Sequence, residues 1–587
     1  MKNKIYEGKG FKKAYKFAAI SWKQMPNLTS DYTSDVTNNE EVIQKFYTEL
    51  YKERNTNKKK IKASQKRKME KKRQEEMLPF LESELMDALK SMPKEKMIGT
   101  DKLSSWEILQ MCSIDKFRKS LVERYNTYWK QLRIPSMWGE AKLLLLPKKG
   151  DLTSISNYRP LSILNHGFKI LTKMMIRREE YVLSCELMQY QHGFRRRKST
   201  YDAIYTLKKI LQHIVEYNEI DATIIYLDFK KAFDMISRQY LYLSMEKLGI
   251  NSHTIEMFRR IHKITTLKFG EVKIQTKSGV GQGDSASPAL FLCVLEDIIR
   301  EVQYKYMDLV ENNIIRIYEI ANNDMTFISF ADDTALVTKD EHSANTILSI
   351  FQKVAEKRGL FLNPSKTEYM SLTEKNIKTI HGEIIKRTSA FTYLGSVVTL
   401  DSCSVIDINR RCQKAWATYH ANKKIWKKLT NEKISKLHSQ IIYPTLTYGG
   451  VTWKMLRSEL RKIDATEKRI LKLLLNNTEE QEKTKLTASI RIQIQQAKYF
   501  GHVARTPNTI SGTSFPKIAL EWIELYGVRM TPTSGKRKTG RPQKRLGENL
   551  NEFQATLTKR KNWIQEARDR NNWNKWVEKY KDFLQRL

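Results

Sequence analysis

The stretch Phe327–Val337 reads Phe-Ile-Ser-Phe-Ala-Asp-Asp-Thr-Ala-Leu-Val, two short apolar runs separated by a pair of aspartates. Apolar runs of this length on either side of turn-forming residues are typical of two strands joined by a tight hairpin. A second apolar run, Ile224–Leu227, ends at Asp228, 104 positions before Asp332 (332 − 228). If this run and the hairpin are neighbours in one sheet, three carboxylates meet at one edge of that sheet.

Three carboxylates at one edge favour a site for divalent metal ions. A single aspartate at a strand end is commonly a turn residue, because its side chain bonds the local backbone. An adjacent pair is different, since like charges side by side are unfavourable unless a cation or solvent relieves them. Mg²⁺ prefers hard oxygen ligands, and two ions roughly 3.5–4 Å apart serve phosphoryl transfer. We therefore expect Asp228, Asp332 and Asp333 to bind two Mg²⁺ ions, with Mn²⁺ as an alternative.

The charge of the chain favours a nucleic-acid partner. Its 587 residues include 104 lysines and arginines against 65 aspartates and glutamates, a formal net charge of +39. A surface this basic attracts polyanions. A dense basic cluster between Lys58 and Arg73 reads as a solvated helix face or an arm, and equally as a nuclear-localisation or phosphate-binding patch.

Cysteine spacing and hydropathy exclude several other classes. The five cysteines show no Cys-x-x-Cys spacing, which argues against a zinc knuckle or a disulfide framework and fits a reducing compartment. No apolar run approaches the roughly 18–20 residues of a membrane span, so we expect no membrane association. The predicted location is intracellular, in the nucleus and cytoplasm.

The order of patterns along the chain indicates a mixed α+β protein. From Leu78 to Leu146 the periodicity predicts helices, ending in the apolar run Leu143–Leu146 before Pro147. Basic loops follow, then the strands described above, and from Ser404 onward the pattern is mostly helical. The tryptophans of that last region are expected in its core rather than as platforms for base stacking: Trp416, Trp426 and Trp453.

Four ordered motifs resemble the reverse transcriptases of non-LTR (LINE-type) retrotransposons: Tyr226–Asp234, Ser278–Pro288, Phe330–Asp333 and Gly359–Thr367. The resemblance implies a right-hand polymerase of fingers, palm and thumb, with an antiparallel palm sheet and a helical C-terminal region. The implied divisions are a basic arm over 1–77, a helical extension and fingers over 78–220, and a palm over 221–400 with finger elements between 235 and 280. A helical thumb over 401–480 and a basic C-terminal region over 481–587 follow.

The same resemblance implies roles for individual residues. Asp228 and Asp332 bind the metals and Asp333 assists, while Lys366 is the candidate general acid for pyrophosphate. Phe233 is the candidate steric gate against a 2′-hydroxyl. The nucleotide would also contact Phe229, Gln282, Arg159 and Arg195, and the implied primer grip is Tyr393, Leu394 and Gly395.

One departure from the family pattern is Gly281, where a basic residue usually precedes the Gln-Gly pair. The implied activity is RNA-directed DNA synthesis with dNTPs on an RNA template and a DNA primer or target, and whether an endonuclease acts in trans or in cis stays open. The alternatives are a non-catalytic RNA- or DNA-binding remnant of a retroelement and an RNA-dependent RNA polymerase, which a small residue at position 233 would have favoured. Template choice and oligomeric state stay open.

Overall fold

We describe the chain from a computed structural model, which covers residues 28–29, 38–53, 78–93, 97–148, 150–216, 221–320, 322–454, 456–475, 486–507, 513–521, 546–558 and 563–586. The predicted basic cluster Lys58–Arg73 lies outside these residues, as does the segment 522–545 of the predicted basic C-terminal region.

The strands of the described residues are β1 (Glu140–Pro147), β2 (Tyr158–Ile163), β3 (Thr223–Leu227), β4 (Thr266–Phe269), β5 (Val272–Gln275), β6 (Glu319–Ile320), β7 (Asn323–Asp324), β8 (Phe327–Phe330), β9 (Asp333–Thr338), β10 (Glu368–Ser371), β11 (Lys386–Arg387), β12 (Ala390–Tyr393) and β13 (Ser396–Thr399).

The helices are α1 (Asn39–Leu50), α2 (Glu82–Lys90), α3 (Ser105–Met111), α4 (Asp115–Gln131), α5 (His166–Arg178), α6 (Glu180–Glu186), α7 (Thr200–Glu216), α8 (Ala232–Met235), α9 (Arg238–Lys247), α10 (Ser252–Ile264), α11 (Ser287–Glu311), α12 (Glu341–Lys357), α13 (Val405–Ala421), α14 (Lys423–Trp426), α15 (Asn431–Leu437), α16 (Tyr443–Thr447), α17 (Arg457–Leu474), α18 (Ala488–Ala504), α19 (Phe515–Glu521), α20 (Glu548–Leu557), α21 (Ile564–Arg568) and α22 (Arg570–Arg586).

The first sheet corrects the helical prediction for Leu143–Leu146. This run is strand β1, which pairs antiparallel with β2 and parallel with β4 in a four-stranded sheet of order β2-β1-β4-β5. Leu143 and Leu145 are buried while their neighbours are less so, the alternation expected of a strand. The prediction failed because a short leucine run has no helical period of its own, and pairing with β4, more than a hundred residues away, decides its conformation.

The second sheet carries the aspartates. Its five strands run in the order β11-β10-β3-β9-β8, and every neighbouring pair except β10 and β11 is antiparallel. All five residues of β3 are buried, since helix α12 packs across β3 and β9 on one side. Helix α7 contacts β8, and α11 packs on α12. The antiparallel sheet backed by helices that the sequence predicts is therefore present.

The described residues after β13 are mostly helical, as the periodicity predicts, and form two cores. In the first, α13 packs on α16 and α17, and Trp426 and Trp453 are buried there, which confirms the expectation for these two tryptophans. Trp416 is only half-buried at the edge of this core. The second core, built from α18 to α22, contains Trp563, Trp573, Trp576 and Tyr580.

The second core is docked on helix α7. Tyr499 donates a hydrogen bond to Asp202 (2.9 Å), and the Lys209 ammonium donates to the carbonyl of Leu546 (3.0 Å). Tyr205 of α7 belongs to the same apolar cluster. Helix α7 thus contacts the central sheet on one side and the C-terminal core on the other. Among the described residues, no helix is both long enough and apolar enough to cross a membrane.

Candidate active site

The three predicted carboxylates lie at one edge of the five-stranded sheet. Strands β3 and β9 are antiparallel neighbours with Leu227 opposite Thr334, so continuing the register by one position places Asp228 opposite Asp333. Asp332 lies in the two-residue turn between β8 and β9. Asp333 is the first residue of β9 and pairs with Phe330, the last residue of β8. The expectation that the two segments are neighbours in one sheet is confirmed.

The turn that presents Asp332 is supported from behind. Ala331 has a positive φ of 56°, a conformation that costs energy for a residue with a side chain. Its N–H donates to Oε1 of Gln191 (2.9 Å), which offsets part of this cost. Gly193 passes so close that a Cβ there would lie 2.4 Å from the nitrogen of Ala331. The segment 191–193 therefore fixes the aspartate hairpin in place.

The carboxylates at this edge repel one another. The protein around Asp333 reduces its hydration although its side chain is exposed, and the charges of Asp332 and Asp228 add to this effect, raising the pKa of Asp333 to about 6. Burial and, less strongly, the charge of Asp228 raise the pKa of Asp332, against a backbone hydrogen bond and Arg159. Mutual effects of this kind require the three groups to be close.

Asp228 is held by the loop that follows β9 and α12. The side-chain amide of Asn363 donates to Oδ2 of Asp228 (3.1 Å), and the N–H of Asn363 donates to the carbonyl of Asp228 (2.8 Å). The N–H of Asp228 donates to the Thr367 hydroxyl (3.3 Å). Burial raises the pKa of Asp228, while the charge of Lys366 acts in the opposite direction. The motif Gly359–Thr367 thus brings Lys366 near Asp228, and its role as general acid stays a prediction.

Three cations face these carboxylates. The charge of Arg159 opposes the upward shifts in the pKa of Asp332 and of Asp333, and the charge of Lys366 opposes that of Asp228. The third is Lys148, a residue that the sequence argument placed in a basic loop without assigning it a role. Partial burial lowers the pKa of Lys148, the charges of Arg159 and Lys366 lower it further, and Asp234 and Asp228 raise it. Its position beside Arg159 follows from the pairing of β1 with β2, which sequence reasoning did not anticipate.

The donor set fits divalent cations. In the described part of the chain, no three acidic, histidine or cysteine side chains are arranged as a complete ligand group. The groups present are nonetheless the hard oxygen donors that Mg²⁺ prefers. Their mutual repulsion also gives a cation a favourable place to bind, because it would neutralise charges that the protein leaves opposed.

Phe233 lies in the short helix α8, which follows Asp228, and Gln282 lies in the loop between β5 and α11. The ring of Phe233 is half-buried and stacks on Phe291 at 4.4 Å between centroids, with 17° between the planes. Gln282 donates from Nε2 to Oδ2 of Asp234 (3.0 Å), and its carbonyl accepts from the N–H of Ser162 (2.7 Å). Helix α8 and this loop are joined directly, since the N–H of Val280 donates to the carbonyl of Phe233 (2.8 Å).

The structure gives Arg195 and Phe229 other surroundings than those implied. Arg195 donates to the carbonyls of Met188 (2.5 Å), Gln191 (3.3 Å) and Ser184 (3.3 Å), bonds that stabilise its own loop. Phe229 is buried and packs toward Phe351, 6.0 Å between ring centroids. These contacts account for both residues structurally, and their roles in nucleotide binding stay predictions.

The predicted primer grip is a hairpin tied to the aspartates. Strands β12 and β13 are joined through Leu394 and Gly395, whose φ angles are 48° and 82°, as a tight hairpin requires. The hydroxyl of Tyr393 donates to the carbonyl of Ile328 (3.2 Å) or to that of Asp333 (3.3 Å). This hairpin is therefore bonded directly to the strands that carry Asp332 and Asp333. The Tyr448 hydroxyl donates to the carbonyl of Leu394 (2.8 Å), which anchors the turn to the helical region.

The part of the chain that contains this sheet edge matches a known protein family. Residues 146–398 match the model of the family described as reverse transcriptase (RNA-dependent DNA polymerase), a range that contains every predicted metal ligand. This part of the chain is therefore similar to reverse transcriptases. The match also confirms the expected α+β fold class of this family, with its antiparallel sheet.

Relatives of this chain come from mobile elements. The chain is 25% identical over 370 residues to the retrovirus-related Pol polyprotein from type-1 retrotransposable element R2 of Popillia japonica, an alignment that covers 58% of this chain and 49% of the relative. It is 23% identical over 415 residues to the RNA-directed DNA polymerase from mobile element jockey of Drosophila melanogaster, covering 65% and 43%. These matches confirm the resemblance to non-LTR reverse transcriptases.

The chain spans about half, or less, of the length of these relatives. Among solved structures, it is similar to apo telomerase from Candida tropicalis, with 14% identity, 48% of this chain and 58% of that chain covered, and a TM-score of 0.32.

Proposed function

We propose that the chain is an RNA-directed DNA polymerase that adds dNTPs to a primer 3′-hydroxyl while copying RNA. The observation that carries this proposal is the meeting of Asp228, Asp332 and Asp333 at one sheet edge. Lys148, Arg159 and Lys366 are close enough for their charges to act there. Phosphoryl transfer requires mainly positioning and charge stabilisation, which such an arrangement supplies.

Asp228 and Asp332 would hold two Mg²⁺ ions, with Asp333 contributing a further oxygen. When bound, such ions supply activation of the primer hydroxyl and charge neutralisation at the leaving oxygen. The protein's own contribution is to fix the ligands. The 363–367 loop fixes Asp228, and the segment 191–193 fixes the turn at Asp332.

The three cations would bind the triphosphate. The guanidinium of Arg159 matches two phosphate oxygens at once, while the lysines act as point charges. Lys366 lies near Asp228 and would donate a proton to the departing pyrophosphate, the role of a general acid. Lys148 is close enough to Arg159, Lys366 and Asp228 for their charges to act on it, so it would contact the same phosphates.

Phe233 would select deoxyribose. Its ring stacks on Phe291, which limits its movement away from the sugar. A planar side chain held in this way rejects a 2′-hydroxyl by overlap. A smaller side chain at 233 is therefore expected to admit ribonucleotides.

Primer extension tests the proposal. The native chain, given a primed RNA template, Mg²⁺ and dNTPs, should extend the primer, and Asp332→Ala should not. Equal extension by both proteins would exclude this active site. RNA binding by the native chain without any incorporation would instead support a non-catalytic nucleic-acid-binding role, a candidate favoured by the glycine at position 281, where the family usually carries a basic residue.

A further inference from the structure

The carboxylate of Asp234 accepts hydrogen bonds both from the residue that follows helix α1 and from Gln282, a predicted nucleotide-binding residue. Asp234 is buried, with 1% of its surface exposed. Its Oδ1 accepts a hydrogen bond from the hydroxyl of Tyr51 (2.9 Å), the residue that follows α1, and its Oδ2 accepts from Nε2 of Gln282 (3.0 Å). One side chain thus connects the N-terminal helix to the residue that would contact the nucleotide.

Backbone contacts hold the same junction. The N–H of Lys277 donates to the carbonyl of Tyr51 (2.9 Å), and the hydroxyl of Ser278 donates to the carbonyl of Asp234 (3.2 Å). Gly279 has a φ of +74°, and a Cβ there would lie 2.4 Å from the carbonyl oxygen of Asp234. The loop that carries Gln282 therefore cannot shift without disturbing Asp234 or the end of α1.

Helix α1 also covers the turn between Asp228 and Asp234. The ammonium of Lys231 lies 3.9 Å from the ring centroid of Phe46, a cation–π contact, and no described residue accepts a hydrogen bond from it. Tyr47 stacks on Tyr51 at 6.0 Å. This turn begins at Asp228, a predicted metal ligand, and ends at Asp234. Phe46 of α1 contacts the turn at Lys231, and Tyr51, which follows α1, contacts it at Asp234.

The chemistry of Asp234 determines the orientation of the Gln282 amide. An ionised carboxylate only accepts hydrogen bonds, so it selects the NH₂ side of the amide. With one N–H directed to Asp234, the rotation of the Gln282 amide is fixed. Tyr51 supports this arrangement because its hydroxyl satisfies the second carboxylate oxygen.

We propose that Tyr51 and Asp234 are positioning residues that hold Gln282 in the orientation required to bind the incoming nucleotide, and that α1 is therefore part of the nucleotide pocket. This inference rests on the proposed polymerase function. It extends the pocket to a helix that lies outside the matched range 146–398 and approximately a hundred residues before it in the sequence.

A matched pair of substitutions on α1 and its C-cap tests the inference. Tyr51→Phe removes the hydroxyl that contacts Asp234, whereas Tyr47→Phe removes a buried hydroxyl that has no partner among the described residues. With the full chain and a primed RNA template, Tyr51→Phe should raise the KM for dNTP about tenfold, the usual effect of losing one hydrogen bond to a charged group. The KM for primer–template should stay within twofold, and Tyr47→Phe should resemble the native chain in both.

A double-substitution cycle separates positioning from general structure. In an Asp234→Asn background, Tyr51→Phe should have little further effect on the KM for dNTP, because both act through the same carboxylate. Additive effects, equal effects of Tyr51→Phe and Tyr47→Phe, or parallel changes in both KM values would overturn the inference.

Equilibrium binding of dGTP to the full chain, followed by tryptophan fluorescence, keeps the inference separate from the proposed function. If the native chain incorporates no dNTP, the proposed function fails. The positioning claim then stands only if Tyr51→Phe weakens dGTP binding about tenfold relative to Tyr47→Phe, and it fails if the two variants bind alike.

Discussion

Two groups of aspartates in this molecule have opposite surroundings. Asp407, in the first turn of α13, is completely buried and accepts hydrogen bonds from the hydroxyl of Ser396 (2.6 Å), the N–H of Val397 (3.0 Å) and the indole of Trp453 (3.0 Å). Arg411 lies 3.7 Å from the same carboxylate. This group joins β13 to the helical region, and the protein itself satisfies its charge.

The carboxylates of Asp332 and Asp333 are not satisfied in this way. No side chain of another described residue donates a hydrogen bond to either one. The charge of Asp228 raises the pKa of Asp332, and the charges of Asp332 and Asp228 raise the pKa of Asp333. A carboxylate with a full set of donors stabilises the fold, whereas carboxylates that repel each other at an open edge are available to a ligand from solution. The contrast distinguishes a structural aspartate from a functional one without reference to sequence similarity.

Removing Asp332 should have the largest effect on activity and almost none on stability. Asp332→Ala deletes a metal ligand, so primer extension should fall on the order of 10³-fold or more, since a catalytic metal contributes several kcal/mol to the transition state. The free energy of unfolding should be unchanged or slightly higher, because a repelling charge is lost. Steady-state extension and urea unfolding check the two parts, and a marked loss of stability would contradict the comparison.

Removing Asp407 should show the opposite pattern. Asp407→Ala leaves Arg411 and the indole of Trp453 buried without their partner, so the free energy of unfolding should fall by about 3 kcal/mol. Urea unfolding followed by tryptophan fluorescence measures this change, because Trp453 is fully buried beside the site. At a temperature where the variant is folded, its Mg²⁺ requirement should match that of the native chain. A variant as stable as the native chain would remove Asp407 from the structural class.

Asp234 lies between these two classes and should make stability depend on pH. Burial raises its pKa to about 6 from 3.8, although Tyr51, Lys231, Lys148 and Gln282 all act in the opposite direction. The folded state therefore binds a proton that the unfolded state has lost between pH 4 and 6, and this group's contribution to stability is lost as the pH rises through that window. The change should reach up to about 3 kcal/mol.

Comparing the native chain with Asp234→Asn over this range isolates the contribution of Asp234. The difference in unfolding free energy between them should change with pH between about 4 and 6 and be constant above that range. A difference that is constant across the whole range would show that Asp234 titrates normally in the fold.

The smallest effect is expected from adding a cation to the edge. At Gly281 a Cβ would lie 3.6 Å from the Ser162 hydroxyl, an ordinary contact, so the first atom of an arginine side chain fits in Gly281→Arg. An added exposed charge near the phosphates should lower the KM for dNTP or primer–template about two- to fivefold. The control is Gly279→Ala, where the Cβ would meet the Asp234 carbonyl oxygen at 2.4 Å and the chain should be destabilised. An unchanged KM in Gly281→Arg would show that position 281 does not face the phosphates.

The sheet edge that carries Asp228, Asp332 and Asp333 was predictable because the sequence signals for its strands and turn are local. The apolar runs before Asp228 and around Asp332 encode strands by composition, and the two-residue turn at Ala331 and Asp332 follows from the hairpin pattern. Once both are strands in one sheet, the carboxylates meet. The resemblance to the family then supplied the motif order, which local patterns alone do not determine.

The features that were missed depend on contacts between distant residues. The run Leu143–Leu146 is a strand only because β2 and β4 pair with it, and the link from Tyr51 to Asp234 joins residues 183 positions apart. Asp407 reads as an ordinary residue of a helix start until Trp453 is seen beside it. No periodicity marks such contacts, since each partner is specified by the tertiary fold.

Binding of Mn²⁺ to the full chain, followed by electron paramagnetic resonance of the free ion, tests the central claim most directly. The native chain should bind Mn²⁺ at this edge, Mg²⁺ should displace it, and Asp332→Ala should lose that binding while a change at an exposed aspartate elsewhere, Asp582→Asn, should not. Equal Mn²⁺ binding by the native chain and Asp332→Ala would contradict the claim that the unsatisfied carboxylates form the metal site.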